Sequence, residues 1–262
     1  MSQKKKSQPN ATMRQVQQRR EAQAKKDRRN RTIIIAVVVV VIALIAGLVV
    51  WAVKSQGSDD KASGGSFTVS QQVEKDRGFV ISSEGVGKKK SGVPTVEIYF
   101  DYSCPGCALF EHEQGTNVVK DAQAGKYNLI FHPVVTHGDP YGFPAMELAT
   151  RVYQSDPDQF VKVHQALMEK AYQFAISQQQ PYTKDPVGAV REVGQKQGVA
   201  KKTLDALSED ATQATLQKWT EDWTQSGISK QFATPMFVRD GKQIGTGPNT
   251  TYDDLLKAMR GQ

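Results

Sequence analysis

The sequence predicts an α/β fold carrying an all-helical insertion, preceded by a basic tail and one transmembrane helix. Three observations predict it. Two apolar strand patterns, Thr95–Phe100 (TVEIYF) and Tyr127–Val135 (YNLIFHPVV), flank a helical pattern, the signature of a right-handed parallel βαβ crossover. The stretch from about 138 to 227 then shows only helical spacing. Asp240-Gly241, a hairpin signal, and a last helical pattern close the chain.

In chain order, residues 1–31 hold eleven Lys/Arg, three of them Lys4, Lys5 and Lys6, against Glu21 and Asp27, a local charge of +9. With +7 overall, the chain beyond the tail sums to −2, so the high pI belongs to the tail. The tail has no aromatic residue to stack on bases, and nucleic acid is therefore not an expected partner. Residues 32–53 carry no charge. As a helix they span about 33 Å, enough for a hydrocarbon core of about 30 Å. The apolar run also exceeds the roughly 7–15 residues of a cleavable signal's core, so a retained anchor through Ile33–Val53 is expected. The basic flank keeps the tail cytoplasmic and sends the rest across the membrane.

The linker is set at 54–77, opening with the flexible, Gly/Ser-rich Lys54–Ser66 (KSQGSDDKASGGS). Phe67–Ser83 adds a short helix and a strand at Gly78–Ser82. The folded domain is set at 78–262. Its first long helix runs to about Ala124, with a kink expected at Gly115 and a stop at Gly125. In the insert, Asp156-Pro157-Asp158 starts a helix whose stripe is Phe160, His164, Leu167, Ala171 and Phe174. Shorter helices are expected at Ala145–Gln154, Val187–Gln197 and Thr203–Ser208. A longer one at Ala211–Ser226 places Leu216, Trp219 and Trp223 on one face. Pro235 begins a strand, and Thr250 or Thr251 caps the last helix, Tyr252–Met259.

The chemistry lies between the first strand and helix of the crossover, in Asp101-Tyr102-Ser103-Cys104-Pro105-Gly106-Cys107. Cys104 and Cys107 are the only cysteines. A Cys-x-x-Cys pair at a strand-to-helix turn reads as a redox dithiol. Helix-terminal N–H groups favour a thiolate at Cys104, and Cys107, one turn further in, is expected to be the more buried. A purely structural disulfide would close only a four-residue loop, constraining the unfolded chain by about 2 kcal/mol. Zinc would need His132 and His137, but 24 residues separate Cys107 from His132, against about 12–15 in a zinc finger. No metal and no other cofactor is expected.

Phe100–Cys107, Thr234-Pro235 before the penultimate strand, and the hairpin-plus-helix ending together resemble the DsbA-like thiol–disulfide oxidoreductases, a thioredoxin fold with a helical insert. The resemblance covers roughly 78–262. It implies that Cys104 is the nucleophile and Cys107 the resolving thiol. It also implies that Pro105 and Gly106 shape the site, and that Pro235 is a cis-proline facing the disulfide. The Thr234 backbone would then be free to pair with an extended substrate. Two positions depart from the family. Gly106 stands where a histidine often precedes the second cysteine. Ile98 stands where a buried carboxylate is common, so the resemblance supplies no group for the proton of Cys107.

The function expected is a membrane-tethered, extracytoplasmic oxidoreductase that forms disulfides in exported, thiol-bearing proteins. A recycling redox partner, which the sequence does not name, would reoxidise it. The alternatives are a reductase or isomerase using the same dithiol, and a non-enzymatic metal-delivery or binding module. Cu(I) favours thiolates, but no Met- or His-rich segment accompanies the pair.

Overall fold

The computed structural model describes residues 67–178, 181–245, 247 and 250–262, all within one structural unit. The basic tail, the apolar span 32–53 and the start of the linker lie outside these residues. Among the described residues no helix is long and apolar enough to cross a membrane.

The chain begins with α1 (Gln71–Asp76), inside the stretch read as linker, followed by β1 (Phe79–Ser82), β2 (Gly85–Val86) and β3 (Thr95–Phe100). Helix α2 (Pro105–Phe110) passes through a π-helical turn (Glu111–Gly115) into α3 (Thr116–Gln123), which leads to β4 (Asn128–Pro133). The insert supplies α4 (Gly142–Ser155), α5 (Pro157–Ile176), α6 (Pro186–Gln197), α7 (Lys201–Asp205) and α8 (Gln213–Thr224). β5 (Met236–Arg239), β6 (Lys242–Ile244) and α9 (Tyr252–Arg260) complete the fold.

One sheet runs β2-β1-β4-β3-β5-β6. β3 and β4 are parallel, as the crossover requires, and the other pairs are antiparallel. The β5–β6 turn needs positive φ at both central residues. Asp240 (φ 49°) and Gly241 (φ 75°) supply it, so Arg239 pairs with Lys242. Thr251 caps α9 through a reciprocal capping box with Asp254.

Side-chain alternation along the strands divides the core. Ile98, Phe100 and Phe237 join the large cluster that includes α2, α4 and α5. Tyr99, Met236 and Val238 face the other way, onto Trp223 of α8. Trp219, one turn earlier, belongs to the large cluster, so α8 serves both. A fully buried Phe- or Leu-sized side chain stabilises by about 1.5–3 kcal/mol, and the α5 stripe buries Phe160, Leu167 and Ala171 completely.

Two local features differ from the sequence reading. Gly85–Val86, read as part of a turn, is a short edge strand on β1. The expected kink at Gly115 is the π-helical turn.

Candidate active site

β3 ends at Phe100, and a turn carries the chain into α2. Cys104 is the N-cap, with extended backbone (φ −81°, ψ 120°), and Pro105 opens the helix, where its missing N–H costs nothing. The turn is closed by Cys104 N–H donating to the Asp101 carbonyl at 3.0 Å, and by Ala108 N–H donating to the Cys104 carbonyl at 3.0 Å. Because β5 lies beside β3, the residues preceding β5 reach this turn. The Thr234-Pro235 peptide bond is cis. A Cβ added at Gly106 would lie 3.4 Å from Pro235 Cδ and 3.8 Å from Cys104 Sγ, so Gly106 rests against both. All six residues singled out in the sequence, Cys104, Pro105, Gly106, Cys107, Thr234 and Pro235, belong to this one corner of the fold.

Both cysteines are free thiols. Each cysteine is only 2% exposed, and Cys107 is the more deeply buried of the two, as the sequence reading expects. Burial and the bond between the two sulfurs separate their acidities. The Cys107 thiol donates to Cys104 and is the largest influence drawing the Cys104 pKa down to about 6. Burial opposes it; the Thr234 side chain, the Cys107 backbone N–H and the nearby His137 add to it. The helix terminus thus contributes, but less than the partner thiol. As a thiol, Cys104 donates to the Thr234 carbonyl at 3.4 Å. Burial, reinforced by Cys104, pushes Cys107 well above the ordinary thiol range. At neutral pH one sulfur is a thiolate and the other keeps its proton, the arrangement a nucleophile and a resolving thiol require.

Three further residues shape this corner; the sequence reading names Asp101 only within the cysteine motif and His137 only as a zinc candidate, and it does not name Thr136. Asp101 is buried, and its Oδ1 accepts from Ser103 N–H (2.8 Å) and Ser103 Oγ (2.7 Å). Its Oδ2 accepts from Thr136 N–H (2.7 Å), His137 N–H (2.9 Å) and Thr136 Oγ1 (3.2 Å). Thr136 Oγ1 in turn accepts from the Thr234 hydroxyl at 2.6 Å. The carboxylate therefore ties the cysteine turn, the loop after β4 and the proline loop together. That same loop brings exposed His137 near enough to Cys104 to favour its thiolate, as the smallest of the influences on it. The Asp-x-Ser turn could have flagged Asp101; no local signal marks Thr136 or His137.

His132, weighed in the sequence as a zinc ligand, is engaged elsewhere. Its Nδ1 lies 3.0 Å from the Arg77 carbonyl and its Nε2 3.0 Å from Glu97 Oε2, and its ring stacks on Tyr99. Among the described residues no group of three or more His, Cys, Asp or Glu is placed to hold a metal ion.

The model of the family described as Thioredoxin matches residues 83–260. No curated protein matches the chain in sequence. Among solved structures, the fold is similar to that of the MdbA protein, a thiol-disulfide oxidoreductase from Actinomyces oris. They share 21% identity over 77% of this chain and 93% of that chain, with a TM-score of 0.58. The MdbA thiol-disulfide oxidoreductase from Corynebacterium diphtheriae gives 19% identity over 72% and 92%, with a TM-score of 0.53. Oxidised BdbD from Bacillus subtilis gives 22% over 78% and 98%, with a TM-score of 0.52. At these identities the likeness is one of fold.

Proposed function

The chain belongs to the thioredoxin family, and from that premise we propose a membrane-tethered, extracytoplasmic thiol–disulfide oxidoreductase that forms disulfides in exported proteins. The observation that carries this reading is the divided dithiol: Cys104 drawn to about 6, Cys107 held protonated, with the cis Thr234-Pro235 bond alongside. A substrate thiolate attacks Cys104 of the oxidised pair, forming a mixed disulfide and releasing Cys107. A second substrate thiolate then displaces Cys104, so the substrate leaves oxidised and both cysteines are reduced. The low pKa of Cys104 makes it a good leaving group in that second step. The Thr234 backbone offers an extended substrate a pairing edge beside the sulfur. A recycling partner must accept the two electrons.

Location rests on the apolar 32–53 stretch and the +9 tail before it. Disulfides persist outside the cytosol, which suits an oxidase there. A second reading, as a reductase or isomerase, is favoured by one observation. A Cys104 pKa of about 6 lies nearer the thioredoxin value of about 7 than the 3.5 of a strong oxidant.

One experiment on the full chain in intact cells tests direction and location together. External protease should digest residues 54–262 and spare the tail. Rapid alkylation with a membrane-impermeant maleimide should leave most of the Cys104/Cys107 pair unlabelled until a reductant is added. Cysteines found labelled at steady state would favour the reductase reading. A domain protected from protease would overturn the location.

A further inference from the structure

The resolving thiol needs a proton acceptor that the cysteine turn and the proline loop do not supply. Cys107 is released, or must attack, as a thiolate, yet burial strongly disfavours that form. Some group must exchange a proton with it, and position 98, an isoleucine, offers none. Glu111 lies one helical turn beyond Cys107 and on the same face. Its side chain is buried, and Oε1 has no hydrogen-bond partner. His164, from α5, is 1% exposed, and its Nε2 also lacks a partner, lying 3.9 Å from Glu111 Oε2.

The surroundings show that this pair is built in. Burial holds Tyr102 as a phenol, and its Oη lies 2.9 Å from His164 Nδ1 in a hydrogen bond that holds the imidazole with Nε2 towards Glu111. Phe100, Phe131 and Phe160 pack around the imidazole. Glu111 opens the π-helical turn, and Gly115 closes it; a Cβ at 115 would fall on the Glu111 carboxyl. Cys107, Glu111 and His164 line one small, apolar-walled cavity of about 10 Å³. Glu111 also lines a surface cleft with His112, Gln165 and Glu169. It is the one residue common to the two spaces.

We propose that Glu111, backed by His164 and Tyr102, is the proton relay of Cys107, connecting the buried thiol to solvent through the cleft between the π-helical turn and α5. This rests on the oxidoreductase reading of Cys104 and Cys107. When a mixed disulfide at Cys104 is resolved, Cys107 passes its proton to the Glu111 carboxylate and attacks Cys104 Sγ. The Cys104–Cys107 bond forms, the bond from Cys104 to the other sulfur breaks, and that sulfur leaves as a thiolate with the electron pair. In the opposite direction Glu111 returns the proton as Cys107 departs. The other titratable groups around this path are Cys104, Asp101 and Tyr102 beside the thiol. Tyr141, Tyr182 and His137 lie further out, and the His112–Glu169 pair stands at the cleft mouth.

The test is the reaction of the reduced full chain with oxidised glutathione, followed by quenched-flow alkylation to separate formation of the Cys104 adduct from its resolution. With Glu111→Gln, adduct formation should be unchanged and resolution slowed about 100-fold, the low end of general acid–base effects. Wild-type resolution should be nearly flat across neutral pH. In the variant it should rise about tenfold per pH unit, following the Cys107 thiolate fraction. Gly115→Ala, which displaces the carboxyl without removing it, should slow resolution with the wild-type adduct rate retained, and it carries the test alone should Glu111→Gln not fold. Wild-type resolution rates and pH profiles in both variants would overturn the relay. Failure of the wild-type protein to form the Cys104–Cys107 disulfide at all would instead overturn the oxidoreductase reading.

Discussion

Replacing Cys107 with alanine should convert the protein into a trap. Cys104 keeps its exposed neighbours Pro105 and Gly106 and its contact with Thr234, so it still exchanges with disulfides, but the variant cannot hold the Cys104–Cys107 bond that substrate thiolates attack. Without Cys107 no intramolecular thiol can release the adduct. Turnover should fall on the order of 10³-fold or more, as when a covalent nucleophile's machinery is removed. Adducts should accumulate on non-reducing gels and disappear on reduction. A second effect follows from the electrostatics. Because the Cys107 thiol is the largest influence lowering Cys104, the Cys104 pKa in Cys107→Ala should rise from about 6, and its alkylation at neutral pH should slow. Cys104→Ala should abolish both turnover and adducts. Adducts that form through Cys107 in that variant would reverse the assigned roles.

Asp101→Ala should be the most destabilising single change near the site. The buried carboxylate accepts from five donors, three of them backbone N–H groups, on two separate segments. Removing it leaves the two Ser103 donors buried without a partner and unties the more exposed Thr136 and His137 donors from the cysteine turn. Each buried unsatisfied group costs about 1–3 kcal/mol, and the costs are not additive. A loss on the order of 4 kcal/mol is expected, which for a domain of this size lowers Tm by roughly 8–16 °C. Asp101→Asn should recover part of it, since its carbonyl can serve one set of donors while its NH₂ opposes the other. Because the Thr136–Thr234 hydroxyl bond hangs from this carboxylate, the proline loop should also loosen, and amide exchange around 234 should quicken. A loss below about 1 kcal/mol would show that the five donors find other partners.

The reach of the sequence follows the range of each signal. Pro157 after Asp156, Asp240-Gly241, and Thr251 with Asp254 are local devices, and each sets an element boundary close to where the structure has it. The cysteine turn is equally local, since a strand, a Cys-x-x-Cys and a helix follow one another directly. Asp101 shows where a local rule stops. The strand ends at Phe100, and the Asp101 side chain turns back to collect donors from 35 residues away. His137 was weighed only as a metal ligand, because nothing in the sequence places the loop after β4 beside Cys104. In the sequence Glu111 is one residue among many of the first long helical pattern. Its burial depends on α5 crossing over it and on a π-helical turn that has no sequence signature beyond Gly115. The apolar stretch 32–53, by contrast, is legible in composition alone and lies outside the described residues.

The central claim is that Cys104 is a thiolate at neutral pH and that this favours the reduced pair. Its folded pKa, about 6, lies below the free value of about 8.5. The ionisation therefore stabilises the reduced fold above about pH 8.5, and the stabilisation fades as pH falls through 6. The oxidised protein has no such group. The most direct test is a redox-buffer titration of the Cys104/Cys107 couple repeated across pH. Below pH 6 two protons accompany two electrons, so the potential should fall by about 59 mV per pH unit. Above it Cys104 stays ionised and the slope should halve to about 30 mV. That break is expected near pH 6, with a potential at pH 7 between about −270 mV, the thioredoxin value, and −120 mV, the DsbA value. A potential at or below −270 mV, with an unbroken slope up to about pH 8.5, the free thiol value, would contradict it.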